Sequence, residues 1–237
     1  MKEKGMIELN IAEIIGKAKK APAYVKEHWN QPAEGEYLSL KEMAAYTVSQ
    51  AGTYIYATAG GLMTFSASYF CGSIMGIAMG TSEAVGYVDK DKNVLGWINE
   101  LAFAPVDLQE GAMQDEWSTD FGVGCKYFSQ DAVIKLCPAA GIELDESLSL
   151  AEKLKAVQKL MEADDPRAQA IFETIGAYFG YTVVLYSQFY DLDYIMLMGR
   201  VMSGKGGDTI LRVTNEILAE EYPELAKKCL VTLPDEK

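Results

Sequence analysis

The sequence predicts an α/β body in its C-terminal two thirds, preceded by a helical segment. Three observations point to this class. Short β-rich runs (Val85, Tyr87 and Val88; then Val94, Leu95 and Trp97) flank the polar stretch Asp89-Lys90-Asp91-Lys92-Asn93. Helix-start signals follow at Ser149-x-x-Glu152 and at Asp165-Pro166. An apolar run, Tyr194 to Met198, then leads through glycines into another helical stretch. β-branched and aromatic residues suit a half-buried pleated surface, while capping boxes and N1 prolines deal with the orphan N–H groups of a first helical turn.

Composition limits what the chain can do. Of 237 residues, 49% are apolar, enough to fill one large core or two small ones. The net charge is −13, and residues 1–42 hold seven Lys against seven Glu, so the excess acid lies after Ser82. An acidic body without a helix-turn-helix pattern argues against nucleic-acid binding. Cys71, Cys125, Cys137 and Cys229 show no CxxC spacing, and His28 is the only histidine. A reduced protein without zinc is expected.

Ile7, Ile11, Ile14, Ile15 and Ala18 fall at helical spacing and predict an amphipathic helix, stopped by Lys19-Lys20 and Pro22. No apolar core follows the first lysines, so no cleavable signal peptide is expected. A polar loop over Tyr24–Tyr37 ends at the capping box Ser39-x-x-Glu42. From Met43 to Ser82 there are 40 residues without a charge. That exceeds the ~20 needed to cross a bilayer. The run is rich in Gly, Ser, Thr, Tyr and Ala, however, and is broken at Gly60-Gly61. It reads either as membrane-associated helix or as a buried helix and strand. Lys17, Lys19, Lys20 and Lys26 favour a cytoplasmic N-terminus, so a single crossing would carry the acidic body to the far side.

Antiparallel strands are expected near 76–97, and Gly80-Thr81-Ser82 is placed at the mouth of the hairpin read over 85–97, where amides and hydroxyls can face an anion. Gln109–Asp120 reads as an acidic surface loop. Helices are expected over 129–139, from Ser149 (apolar face Leu154, Val157, Leu160, Met161), and from Arg167 to about Phe189. Tyr194–Met198 is expected as a buried strand, followed by a glycine-rich turn at Ser203-Gly204-Lys205-Gly206-Gly207 and a helix over Asp208–Glu221. Glycine lets a backbone approach a ligand, and a helix start favours anions. Leu230–Leu233 is the last expected strand.

The stretch MGTSEAVGYVDKDKNVLGWINELAFAP (79–105) resembles the second phosphate loop and following hairpin of the ROK family (repressors, open reading frames and sugar kinases) in the actin–hexokinase superfamily. The resemblance continues through GVGCKYFSQD (122–131) and MLMGRVMSG (196–204) and covers about 78–237. It implies the C-terminal lobe of the actin–hexokinase (ribonuclease H-like) fold over 78–237, with 1–77 as a separate segment. By the same resemblance, Gly80, Thr81, Ser82, Gly199, Arg200, Gly204, Gly206 and Gly207 are nucleotide-binding, with ATP and Mg²⁺ as cofactors. Asn99 and Glu100 are sugar-binding. Phe103 replaces the family's sugar-contacting His, Ala102 replaces its Gly, and Arg200 replaces a second glycine. Only Cys125 remains of the family's zinc cluster.

What the resemblance does not supply is a catalytic residue. The family's phosphate-and-metal loop and its general base are aspartate motifs that come before the second phosphate loop, and this sequence has no Asp before Asp89. The expectation is an incomplete, inactive ROK-type sugar-kinase half with residual nucleotide binding. Residues 6–77 resemble instead the start of a major facilitator sugar transporter, through Lys26-Glu27-His28-Trp29, Pro32 to Tyr37 and Leu40 to Tyr46. The alternative is therefore a membrane-anchored transporter fragment touching the membrane through 43–77. A cytoplasmic lobe is expected in the first case. A lobe that normally closes on another exposes apolar surface, so a homo-oligomer is expected.

Overall fold

The computed structural model describes residues 72–94 and 100–234. Its centre is a four-stranded sheet of order β2-β1-β3-β4, formed by β1 (Ile74–Met79), β2 (Glu83–Val88), β3 (Tyr194–Met198) and β4 (Leu230–Thr232). β1 and β2 are antiparallel with Met79 opposite Glu83. β1 and β3 are parallel with Ala78 opposite Met198, and β3 and β4 are also parallel. A parallel pair needs a long crossover. Between β1 and β3 the crossover carries β2, the loops and three helices: α1 (Gln130–Leu136), α2 (Leu150–Glu162) and α3 (Pro166–Tyr186). Between β3 and β4 it carries α4 (Gly204–Glu221) and the short α5 (Pro223–Lys228).

Local chemistry starts each of the first three helices. The Ser129 hydroxyl accepts from the Asp131 amide. Ser149 and Glu152 form a reciprocal capping box. The Asp165 carboxylate accepts from the Arg167 amide, with Pro166 in the first turn. α3 is buried on nearly every face from Ile171 onward, as a helix apolar all round must be. It crosses α4 at small residues. A Cβ on Gly176 would lie 2.9 Å from the Ile210 carbonyl oxygen, and one on Gly180 would lie 3.1 Å from Ile217 Cβ. Thr214 of α4 donates to the Gly176 carbonyl at 3.1 Å, so the close approach also satisfies a buried hydroxyl.

Several expectations need correction. The hairpin is β1–β2, and Gly80–Ser82 is its connecting turn rather than the mouth of a later hairpin. Beyond β2 only an isolated bridge, Val88 to Val94, is formed, and 95–99 lie outside the described residues. β1 is buried on both faces, so it lacks the alternation that marks a half-exposed strand and merges into the uncharged run. The expected division between 77 and 78 falls inside β1. Residues 74–77, expected to contact a membrane, are a buried part of the central sheet. The amphipathic helix, the Ser39 capping box and the rest of the transporter-like segment lie outside the described residues. Among the described residues no helix is long and apolar enough to cross a membrane. α4 begins at Gly204 rather than Asp208, because the glycines expected to form a turn are its first turn.

Replacing Gly176 with valine should wedge α3 and α4 apart. A loss of about 1–3 kcal/mol is expected, the usual cost of overpacking. Urea denaturation of the two proteins measures it.

Candidate functional site

Because β1 and β3 run parallel and in register, the segments that follow them emerge side by side at one edge of the sheet. In open α/β sheets this carboxyl edge is where ligands bind. Gly80-Thr81-Ser82 follows β1, and Gly199-Arg200 follows β3. Gly199 has φ +102°, and a Cβ there would lie 2.4 Å from the Met79 carbonyl oxygen. Only glycine allows both that backbone angle and that approach. The turn is braced from behind: the Gly80 amide donates to the Ser82 carbonyl at 3.0 Å, and the Gly80 carbonyl accepts from the Gln130 amide at 2.8 Å. Thr81, Ser82, Gly199 and Arg200 are exposed, and Gly80 is partly so.

The three glycines of α4 are placed differently. The Glu162 carboxylate accepts from the Lys205 amide at 3.1 Å, so the positive start of the helix already faces an anion. Lys205 Nζ in turn reaches Asp164 at 2.6 Å. Gly204 is exposed beside Glu162. Gly206 and Gly207 are buried, and their missing side chains leave room for the Phe172 ring and the Met202 carbonyl. Their smallness serves packing at these contacts.

Glu100 begins the 3-10 turn Leu101–Phe103, where the Phe103 amide donates to the Glu100 carbonyl at 3.0 Å. Partial burial pushes the Glu100 carboxyl above its ordinary value. Phe103 tilts against Trp117, with ring centroids 5.8 Å apart. Asn99 lies outside the described residues.

Behind this face the turn Gly124–Lys126 holds a buried ammonium. Lys126 Nζ pairs with Asp131 at 2.7 Å, with Asp115 at 3.4 Å and with Glu116. Burial opposes its charge, but hydrogen bonds to Asp131 and Glu116 outweigh that and hold it above the ordinary lysine value. The same contact, with help from Lys135, holds Glu116 down to about 2. Burial, with Asp115 beside it, pushes the Cys125 thiol up to about 12, so it is a neutral thiol. A second closed network centres on Asp107, whose Oδ2 accepts from Tyr127 at 2.6 Å, Gln109 at 2.6 Å and Tyr178 at 3.0 Å. It lines a cavity of about 200 Å³ with Thr174 and fixes the 107–122 loop to α3.

Sequence reasoning missed Glu83, the first residue of β2. It is 1% exposed, directly after the turn Gly80–Ser82. A signal was available, since Glu83 is the first charge after 40 uncharged residues and stands inside a β-rich run. A lone carboxylate there has to be buried, paired or protonated.

Neither a protein-family model nor a curated protein matches the chain. Solved structures do. The ROK hexokinase from Thermus thermophilus matches with a TM-score of 0.51 at 18% identity, over 68% of this chain and 51% of that one. A ROK family glucokinase from Streptomyces griseus, in complex with glucose and AMPPNP, gives 0.52 at 15% over 68% and 55%. A ROK family transcriptional regulator, a homologue of the E. coli MLC protein, gives 0.54 at 15% over 72% and 45%. The chain thus spans about half the length of these proteins. At such identities the likeness establishes the fold alone: this body folds like part of these ROK structures.

Lys126→Ala should leave Asp115 and Asp131 without their cation. Breaking a buried pair costs 3–5 kcal/mol, and the exposure of Glu116 favours the lower end, about 3 kcal/mol. Equilibrium denaturation at neutral pH reads this loss directly.

Proposed function

We propose that the described body is the nucleotide- and sugar-binding lobe of a ROK-type kinase site that does not turn over by itself. One observation carries the reading: pairing of β1 with β3 sets Gly80–Ser82 beside Gly199-Arg200 at the carboxyl edge of the sheet. In this reading the turn amides and the Thr81 and Ser82 hydroxyls receive phosphate oxygens. Arg200, exposed and adjacent, supplies a planar cation suited to phosphate. Glu100 accepts two sugar hydroxyl protons, with Asn99 beside it in sequence. Phe103 has no hydrogen bond to offer where the family has His, so one sugar contact is lost.

The donors fit a nucleotide better than a free metal. Among the described residues no group of three or more His, Cys, Asp or Glu is arranged to hold an ion, so Mg²⁺ would arrive on the triphosphate. Gly206 and Gly207 act in this reading by packing α4 against Phe172 of α3 and the turn after β3, behind the adenosine side, while Gly204 stays exposed beside Glu162. Sugar phosphorylation also needs a general base near the acceptor hydroxyl. No aspartate stands before Asp89 to play the family's part, so binding without turnover follows. Use of ATP places the lobe in the cytoplasm, and exposed Trp117 and Phe121 give it surface for self-association.

Calorimetric titration of the full chain with Mg-ATP tests the proposal. Weak, millimolar binding is expected, and Arg200→Ala should weaken it by about ten- to a hundredfold, as loss of one charge-assisted contact of 1.5–3 kcal/mol would do. A coupled assay with hexose should show no sugar phosphate above background. No heat at millimolar nucleotide would remove the binding role, and clear turnover would remove the half-site.

A further inference from the structure

Glu83 is a buried ionisable side chain beside the candidate site that the proposed function leaves unused. Its Oε1 accepts from the Tyr186 hydroxyl of α3 at 3.3 Å. Its Oε2 is buried with no hydrogen-bond partner. Among the described residues it forms no ion pair. The carboxyl lies against Gly124, where a Cβ would be 2.4 Å from Oε2 and 2.7 Å from the Leu101 carbonyl oxygen. Two oxygens therefore crowd one glycine from different turns. An ionised carboxylate in that place would be buried with no cation to offset it. A carboxylic acid turns the same oxygen into a donor.

The location gives this proton a use. Glu83 directly follows Ser82, the end of the phosphate turn. Leu101 directly follows Glu100, the candidate sugar ligand. The Glu83 side chain thus lies against Gly124, between the two halves of the proposed site. We propose that Glu83 is a positioning residue that is protonated in the folded protein. As a neutral acid it docks the Gly80–Ser82 turn on the Leu101 and Gly124 turns without placing negative charge beneath bound phosphate. The phosphate half of this inference rests on the nucleotide reading above, while the protonation does not.

Burial pushes the Glu83 carboxyl up to about 8, with the Tyr186 hydrogen bond pulling slightly the other way. The groups facing it stay neutral while it titrates. Burial and the nearby Glu83 hold the Tyr186 hydroxyl well above its ordinary value, and burial with Asp115 pushes the Cys125 thiol up to about 12. The Leu101–Phe103 turn and the facing Met79 bring no titratable group. A raised folded value means that the native state keeps a proton the unfolded chain releases. Stability should therefore fall as pH rises from about 4.5 to about 8 and level off above.

The test compares the wild-type full chain with Glu83→Gln, which keeps the shape and a donor without the charge. Across that window the wild-type unfolding constant should rise by up to about tenfold per pH unit relative to the Gln variant, the effect of one proton. Infrared spectra of the wild-type protein at pH 7 should show the carbonyl stretch of a protonated carboxylic acid, fading above pH 8. Mg-ATP affinity should drop between pH 6.5 and 9 in the wild type and hold in Glu83→Gln. Parallel stability curves, or no acid band at pH 7, would overturn the protonated Glu83. Equal pH dependence of nucleotide affinity in both proteins would overturn its positioning role. No nucleotide binding at either pH would overturn the nucleotide reading alone, since the two proton readouts still decide the carboxyl.

Discussion

At Gly199 the chain leaves β3 so close to the end of β1 that a methyl group would meet the Met79 carbonyl. The rest of the site depends on this approach. It holds the two exit segments in contact distance while the sheet ladder fixes their heights. The opposite ends of the same strands are also fastened. The Asp193 carboxylate accepts from the Ser73 amide at 2.9 Å and hydroxyl at 3.1 Å, and the Asp193 amide donates back to Ser73 at 3.0 Å. With both ends tied, β1 and β3 cannot slide by a residue, and a slip would reverse every buried side chain. Function in this reading is thus a consequence of register.

Two buried ionisable groups sit behind that edge and are handled in opposite ways. Lys126 keeps its charge because carboxylates surround it, which fastens the Asp115–Glu116 loop to α1. Glu83 has no such partner, and its burial favours the neutral form. The difference is one of supply: desolvation works against both charges, and only one of them is met by opposite charge. In the proposed reading, a neutral group under the Gly80–Ser82 turn and an exposed Arg200 beside it leave the local field suited to an anion, in a body whose net charge is negative.

Features with a local cause were legible in the sequence. Ser149 with Glu152, Asp165 with Pro166, and the apolar run of β3 each carry their signal within a few residues, and each forms the element expected. Of β1 only the part from near residue 76 was legible, because burial on both faces removes the alternation that would mark its start within an uncharged run. The glycines at 204–207 misled for a related reason. Glycine weakens an isolated helix by about 1 kcal/mol per residue. Here Phe172 and the Met202 carbonyl need the space, and tertiary packing overrides propensity. Of the candidate site, Gly80–Ser82 and Gly199-Arg200 were legible as separate turns. Their meeting is set by strand order, and the buried pairings of Glu83 and Lys126 join residues from separate turns and helices that no local pattern connects.

In the proposed reading one ligand touches the two turns at once. Backbone amide NMR during titration with Mg-AMPPNP tests it most directly. Resonances of Gly80, Thr81, Ser82, Gly199 and Arg200 should move together with a single apparent affinity, while the buried Gly206 and Gly207 stay still. Shifts confined to Gly204–Gly207, or to only one of the two turns, would contradict it.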